Sequence, residues 1–476
     1  MRAARSHVSW GWAGLGFAGS LSVALAGSDI LRGKPVIWFF SPHLPAPTVI
    51  FYVGIAALCV AWLGIGRGLG RPGGASTREL LMIGALWCLP LALAPALFSR
   101  DLYSYLADGS ILHAGLNPYH QAPDVLGRLH QTRLMDAVSP FWRHTTAPYG
   151  PSFLGIAALI SGLVGSHLVA GVLLLRAVEV GGVVLLAIFV PRLASALGAD
   201  PARAVWLAVI GPLILLELIG AGHNDALMAG LLVAGVTLAV ERRPLAGIAL
   251  CALAATIKLP AAAGVVFIAI AWARAEPDRA PRIAALSAVV TAGVVAAVSV
   301  ITGLGLDWIA GSLSTPAKVR LAVTPSTALG YSIASVLHAF GVSASSKAIE
   351  HTVATVALAL TAALAVALCY RVRRENLVWY LGLVLLAAVL GGPAAWPWYL
   401  IWGLALLASC EPAERWRWLP LVLIATAFLV RADGQLILPR SAAPVMLALY
   451  AVAVLAVATA WRRSIPPALS SAEFAR

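Results

Sequence analysis

The sequence predicts an all-α polytopic membrane protein that forms a single integral membrane domain over residues 1–476. Hydrophobic residues make up 61% of the chain and charged residues only 11%, and the mean hydropathy is +0.90. Long apolar runs recur from end to end without the two-residue alternation of a membrane β-barrel. Because lipid offers no hydrogen-bond partners, the main chain of such runs must be satisfied within helices.

The basic character of the chain fits this topology better than a role in nucleic-acid binding. The formal net charge is +13, but Lys and Arg concentrate in short loops, as the positive-inside rule predicts for cytoplasmic loops. We therefore expect the lipid bilayer as a partner and no nucleic acid. The five cysteines show neither the spacing of a metal site nor that of a disulfide framework.

Three spans are predicted before residue 100, at residues 8–27, 48–66 and 80–98. The first apolar run is too long for the core of a typical signal peptide. With Arg2 and Arg5 inside, it is interpreted as an outward helix. The third span then delivers Asp101 to the extracytoplasmic face.

Basic loops set the direction of the later spans. If residues 152–166 crossed the membrane, the basic connection at residues 192–203 would lie outside, so this run is interpreted as a re-entrant or interfacial helix. Two short apolar runs with basic flanks predict a hairpin that turns outside at Lys258. The later spans are predicted at residues 167–190, 204–220, 226–240, 245–257, 260–272, 283–301, 351–370, 377–391, 399–409, 419–430 and 443–461.

The total is about 14 spans with both termini in the cytoplasm. A second extracytoplasmic segment is predicted at residues 303–350, where an apolar stretch at 327–340 is again interpreted as interfacial. The sequence shows no convincing internal repeat, which disfavours a transporter.

The longest polar interruption, residues 99–148, is predicted to be an extracytoplasmic catalytic loop. A charge held within the membrane costs roughly 2.5–3.5 kcal/mol, so Arg100 and Asp101 at the end of a span point to function. If the segment is helical, Asp101, Tyr105 and Asp108 share one face, and Gly115 ends the helix. Aromatic and basic residues suited to sugars and phosphate follow, namely Tyr119, His120, Trp142, Arg143, His144 and Tyr149.

Further ionisable residues are predicted near the outer leaflet. Arg176 and Glu179 are three residues apart and form either a structural ion pair or part of a site. Lys258 either snorkels to the interface or binds substrate.

His223, Asn224 and Asp225 are consecutive between two apolar runs. Helix N-capping by Asn224 or Asp225 is the simple structural explanation, and the alternative is a site built from a histidine, an amide and a carboxylate. Neither an Asp-x-Asp pair nor a His-x-x-x-His spacing is present. No cofactor is therefore firmly implied, and a divalent cation has no support from the spacing.

Six segments of the chain carry a resemblance to a known family. They are Phe-Ser-Arg-Asp-Leu-Tyr-Ser-Tyr (98–105), Gly-Leu-Asn-Pro-Tyr (115–119), Ala-Pro-Tyr-Gly-Pro (147–151), Gly-His-Asn-Asp-Ala-Leu-Met (222–228), Ile-Lys-Leu-Pro-Ala (257–261) and Trp-Pro-Trp-Tyr-Leu-Ile-Trp (396–402). In this order and over most of the chain, they resemble the actinobacterial α-(1→6)-mannopyranosyltransferases of the GT-C superfamily, in particular its MptB-like members, and Gly-His-Asn-Asp-Ala-Leu-Met is the most specific.

The resemblance implies a GT-C fold and transfer of mannose from polyprenyl-phosphate mannose to a mannan glycolipid, the core of lipomannan and lipoarabinomannan. It places the active site on the outer face of the bacterial cell membrane, in cell-wall biosynthesis. A β-linked donor and an α-linked product imply one inverting displacement with one carboxylate base. Many relatives carry two neighbouring acidic residues in the first external loop, and this chain departs from that pattern with Arg100-Asp101 and then Asp108.

The candidate catalytic residues are Asp101, Asp225 and His223. Asp101 is the preferred base because it begins the external loop, and Lys258, Arg176 and Arg100 are expected to pair with the donor phosphate. The candidate substrate-binding residues are Arg100, Tyr105, Asp108, Tyr119, Tyr149, Arg176, Asn224, Lys258, Trp396, Trp398 and Tyr399.

Two other functions stay open. A polyprenol-linked saccharide carrier or transporter would place its charges near the midplane of the bilayer, in broken helices of matching halves, whereas the charges here are predicted at the outer rim. The chain could also be a GT-C transferase that uses polyprenyl-phosphate arabinose or glucose, since no motif in the sequence indicates which stereochemistry of the sugar hydroxyls is recognised.

Overall fold

The computed structural model describes residues 10–34, 36–318, 324–410 and 419–452, and its regular elements there are helices. Besides them the described residues contain one isolated antiparallel β-bridge, between Val430 and Leu436. The α-helices are α1 (Trp10–Ile30), α2 (Pro47–Gly66), α3 (Thr77–Leu93), α4 (Asp101–His113), α5 (Thr132–Ala137), α6 (Pro151–Val164), α7 (Leu168–Ala196), α8 (Pro201–Ala208), α9 (Asp225–Val240), α10 (Pro244–Ala255), α11 (Ala262–Ala275), α12 (Ala280–Thr302), α13 (Asp307–Lys318), α14 (Pro325–Ala339), α15 (Ser346–Arg371), α16 (Leu377–Gly391), α17 (Ile401–Leu407) and α18 (Leu419–Ala427).

The helices fit a polytopic membrane protein. Within the described residues, six helices are long and apolar enough to cross a membrane, and a bent pair raises the number to seven. Shorter apolar helices include α6, α10 and the segment Ala443–Val452. The total of about 14 spans stays a prediction, and Arg2, Arg5 and the end of the last predicted span lie outside the described residues.

Two predicted spans are interrupted in the structure. The span predicted at residues 80–98 ends as a helix at Leu93, because the residue before Pro95 is disfavoured in the helical conformation. The span predicted at residues 204–220 stops at Ala208 and resumes as a π-helical segment, Ile214–Gly220. Pro212 between the two parts lacks the N–H that a continuous helix needs.

Two other predictions are confirmed. Residues 101–113 form a helix, α4, and Gly115 adopts a left-handed φ of +77° just beyond its end. Helices α10 and α11 pack side by side as the predicted hairpin, joined through Lys258 and a short 3-10 turn that begins at Leu259.

Helix α9 lies at the centre of the bundle and connects its two ends. It packs against α7, α10 and α17, and a Cβ on Gly230 would lie 2.5 Å from the Gly182 carbonyl oxygen, so small residues allow this close approach. At the end of α9, the Val240 carbonyl accepts a hydrogen bond from Arg374, next to Arg242. The basic loops therefore gather at the end of the bundle opposite to Asp225.

Candidate active site

A cavity of about 500 Å³ opens where six distant parts of the chain meet. They are the loop after α1, the start of α4, the loop after α5, the turn at Lys258, the segment before α17 and a short hairpin that follows α18. Of the predicted site residues, the cavity is lined by Arg100, Asp101, Tyr149, Lys258, Trp396, Trp398 and Tyr399.

Asp101 is the first residue of α4, and its main-chain N–H donates to the Ser99 hydroxyl at 3.0 Å. The partial positive charge of the helix N-terminus favours a carboxylate there. Its side chain is only 16% exposed, and this desolvation raises the pKa of Asp101 from 3.8 to about 6. A carboxyl group with such a pKa can act as a base near neutral pH.

His223 lies directly behind Asp101. The chain breaks by 115° between Gly220 and Asp225, and Gly222 takes a left-handed φ of +74° in this break, which directs His223 toward α4. Its Nε2 lies 3.7 Å from Asp101 Oδ2, and its Nδ1 lies 2.8 Å from the Glu217 carbonyl oxygen. Because a carbonyl only accepts, Nδ1 carries the hydrogen and Nε2 presents a lone pair to Asp101.

Asp225 forms a separate buried ion pair. Both carboxylate oxygens accept from Lys258 Nζ, at 2.9 and 2.8 Å, and the Trp402 indole N–H donates to Oδ1. The Lys258 ammonium also lies 4.3 Å from the centre of the Tyr399 ring. Asp225 is therefore directed at Lys258 and Trp402, and within the described residues α9 has no side-chain hydrogen bond at its N-cap, so the capping explanation does not apply.

Three cations and two carboxylates line the cavity, namely Lys34, Arg100, Lys258, Asp101 and Asp433. Lys258 is neutralised by Asp225, whereas the partly buried Arg100 faces the cavity with Asp433 nearby. Arg100 and Lys34 can therefore attract an anion into the cavity.

Aromatic rings supply flat surfaces beside these charges. Trp396 stacks on Trp398 with a centroid distance of 4.7 Å, and Trp398 stacks on His223 at 3.6 Å. Phe141 and Trp142 meet edge to face at 4.8 Å in another part of the lining. Such surfaces suit the apolar faces of a sugar ring.

Arg176 does not line the cavity. It is 1% exposed, and its guanidinium donates to main-chain carbonyls that include those of Ile219, Pro95 and Gly220, at 2.9, 3.0 and 3.0 Å. Glu179 instead accepts from the Leu227 N–H at 3.3 Å. Arg176 therefore links the broken helices through their main-chain carbonyls. This structural role replaces both the predicted phosphate contact of Arg176 and its predicted pairing with Glu179.

Four other predicted residues, Tyr105, Asp108, Tyr119 and Asn224, lie behind the cavity wall. The Tyr105 hydroxyl accepts from the Asn224 N–H at 3.3 Å, and the Tyr119 hydroxyl donates to the Tyr149 carbonyl at 2.9 Å. Asp108 is buried in α4, at 3% exposure. Tyr105 and Tyr119 thus support Tyr149, which faces the cavity, whereas the side-chain amide of Asn224 is buried without a hydrogen-bond partner among the described residues.

The sequence interpretation missed the hairpin after α18, which contributes Asp433, Gly434 and Gln435 to the lining. The Asp-Gly pair after an apolar run is a turn signature, but it does not show that the turn reaches α4. Lys34 and Phe141 were also missed. Within the described ranges, no three His, Cys, Asp or Glu side chains form a group that could hold a metal ion.

Comparisons with known proteins agree with one another. The chain matches a family model described as "Alpha-(1->6)-mannopyranosyltransferase, N-terminal domain" over residues 10–274 and one described as "MptB C-terminal domain" over residues 326–462. No solved structure matches the chain.

Three curated relatives carry the same name in different forms. "Alpha-(1->6)-mannopyranosyltransferase A" of Mycobacterium tuberculosis is 33% identical over 85% of this chain and 81% of its own length. A probable alpha-(1->6)-mannopyranosyltransferase of Mycolicibacterium smegmatis is 34% identical over 80% and 74% of the two chains. "Alpha-(1->6)-mannopyranosyltransferase B" of Corynebacterium glutamicum is 29% identical over 78% and 66%.

Proposed function

Because this chain belongs to the alpha-(1->6)-mannopyranosyltransferase family and is thus a glycosyltransferase, we propose that it moves mannose from polyprenyl-phosphate mannose to an α-(1→6)-mannan acceptor. The observation that carries this proposal is that a carboxylate, a cation and stacked aromatic rings meet in one cavity, at Asp101, Arg100 and Trp396. These are the groups that a lipid-linked phosphate donor and a sugar acceptor require. The expected fold is that of the GT-C superfamily.

The reaction proceeds as one inverting displacement. The acceptor hydroxyl oxygen attacks the anomeric carbon of mannose, the bond from that carbon to the phosphate oxygen breaks, and polyprenyl phosphate leaves. Asp101 takes the proton of the attacking hydroxyl, since it combines access to the cavity with a raised pKa. His223 Nε2 lies 3.7 Å from Asp101 Oδ2, which is longer than a hydrogen bond, so it can accept the proton of Asp101 only after the two groups move closer.

The pH dependence of the reaction follows from the pKa of Asp101. The carboxylate is the basic form, so we expect kcat/KM to fall about tenfold per pH unit below about 6 and to level off above it. Initial rates at constant ionic strength measure this profile. An acidic limb near pH 4, the usual range for aspartate, would contradict the role of a desolvated Asp101.

The donor phosphate binds at Arg100, with Lys34 nearby. Arg100→Ala removes a charge-assisted contact worth about 1.5–3 kcal/mol, so the KM for the donor should rise roughly 10- to 100-fold, with a smaller change for the acceptor. Arg128→Ala is the matched control, because Arg128 is exposed on the same loop and does not line the cavity. An unchanged KM for the donor in Arg100→Ala would remove Arg100 from the donor site.

The active site faces the outside of the cell membrane, with residues 99–148 as the catalytic loop and 303–350 as a second external segment. Support comes from α9, because Asp225 at one of its ends lies beside the cavity and the basic loops surround the other end. Basic loops remain in the cytoplasm in such proteins. The topology of about 14 spans is proposed on the same basis.

One experiment tests substrate and face together. Radiolabelled polyprenyl-phosphate mannose and a short α-(1→6)-mannoside that cannot cross the bilayer are supplied to intact spheroplasts and to inverted vesicles containing the protein. We expect labelled product in the spheroplasts. Product formed only in inverted vesicles would overturn the outer location, and product formed only from polyprenyl-phosphate arabinose or glucose would reassign the sugar.

A further inference from the structure

The segment Val430–Leu436, here called the C-terminal hairpin, reaches the cavity from the far end of the sequence. The β-bridge between Val430 and Leu436 closes it. Inside the turn, the Arg431 N–H donates to the Gln435 carbonyl at 2.8 Å, and the Gly434 N–H donates to the Arg431 carbonyl at 2.9 Å. The hairpin is thus held by its own main-chain hydrogen bonds.

The C-terminal hairpin packs main chain to main chain against the two residues before Arg100. The Phe98 N–H donates to the Ala432 carbonyl at 3.0 Å. Gly434 has a left-handed φ of +84°, and a Cβ built on it would lie 3.2 Å from both the Phe98 carbonyl oxygen and Ser99 Cα. Any side chain at residue 434 would therefore press on Phe98 and Ser99.

Phe98 itself has an unusual backbone, with a left-handed φ of +60°. A bulky residue there costs about 1–3 kcal/mol and persists only where surrounding contacts enforce it. Those contacts are the burial of its ring against Phe51, at 5.4 Å between centroids, and the hydrogen bond to Ala432. The hairpin therefore helps to hold Phe98 in this conformation.

The conformation of Phe98 determines where Asp101 lies. Ser99 follows Phe98, and its hydroxyl accepts from the Asp101 N–H at 3.0 Å where α4 begins. A shift of Phe98 and Ser99 by a few tenths of an ångström would therefore also move Asp101, the first residue of α4.

We propose that the C-terminal hairpin positions the carboxyl group of Asp101, with Gly434 as a positioning residue that acts through Phe98 and Ser99. The inference rests on the proposed role of Asp101 as the base. It also explains why the described part of the chain after α18 folds back onto the start of α4.

The test compares Gly434→Ala with Gly341→Ala. Both glycines have a left-handed φ, at +84° and +78°, but a Cβ on Gly341 meets nothing within 4 Å. Because misplaced reacting groups cost rate rather than binding, Gly434→Ala should lower kcat about tenfold with KM values nearly unchanged. The acidic limb of its pH profile should move below pH 6 as Asp101 becomes better solvated, whereas Gly341→Ala should keep the wild-type profile.

A second variant tests the proposal in case Gly434→Ala folds poorly. Ala432→Gly introduces no clash; it removes one buried methyl group and loosens the hairpin backbone, so kcat should fall about 2- to 5-fold in the same direction. Equal kcat and pH profiles for wild type and both hairpin variants would overturn the positioning role. Failure of wild type to use polyprenyl-phosphate mannose at all would instead overturn the proposed function, so the two failures are distinct.

Discussion

Replacing Asp101 with Asn is expected to lower kcat by about 100-fold or more, while the binding of the lipid-linked donor changes little. Asparagine keeps the size of the side chain and its place at the start of α4 but cannot accept the proton of the acceptor hydroxyl. The residue lines the cavity that also contains Arg100 and the stacked Trp396. Steady-state rates and donor titrations of the purified variants measure the two effects separately.

Asp124→Asn is the matched control for this change. Asp124 lies on the same loop, but its side chain is 51% exposed and pairs with His144. It should retain nearly the full rate. If Asp101→Asn kept more than about a third of the wild-type kcat in correctly inserted protein, the proton would go elsewhere and Asp101 would lose its assignment as the base.

Replacing Lys258 with Ala is expected to cost about 3–5 kcal/mol of stability, because it leaves the carboxylate of Asp225 buried without its partner. Asp225 is fully buried, and both of its oxygens accept from the Lys258 ammonium. Since this ammonium is neutralised by Asp225, we expect the loss of stability to be the main effect and the weakening of donor binding to be smaller. Melting temperatures in detergent measure the effect.

The double variant Lys258→Met, Asp225→Asn isolates the charge pair. It removes both charges together, keeps an oxygen for the indole N–H of Trp402 and keeps an apolar chain against Tyr399. Its melting temperature should lie well above that of Lys258→Ala. A loss of stability equal to the sum of the losses in Lys258→Met and Asp225→Asn would show instead that the two residues act independently. Arg192→Ala breaks an exposed, solvent-screened ion pair with Glu241 and should change the melting temperature little.

Local sequence patterns correctly predicted features that depend on neighbouring residues. The helical class follows from apolar runs that must satisfy their own main chain in lipid. The helix from Asp101 to His113 and its end near Gly115 follow from local propensity and a left-handed cap. The turn at Lys258 follows from two short apolar runs with basic flanks.

The tertiary structure decided which polar groups meet. Arg176 and Glu179 are close in sequence and invite a pairing, but the broken helices present carbonyls that satisfy the guanidinium of Arg176 instead. Asp225 and Lys258 are 33 residues apart, and no spacing rule links them.

The same limit applies to the C-terminal hairpin. An Asp-Gly pair predicts a turn, yet only the packing of distant helices brings Gly434 against Phe98 and so to the start of α4. Sequence alone therefore determined the membrane class and several cavity residues, since these depend on local composition and spacing. The roles of Arg176, Asp225 and Gly434 depend on contacts between distant segments, which only the folded chain creates.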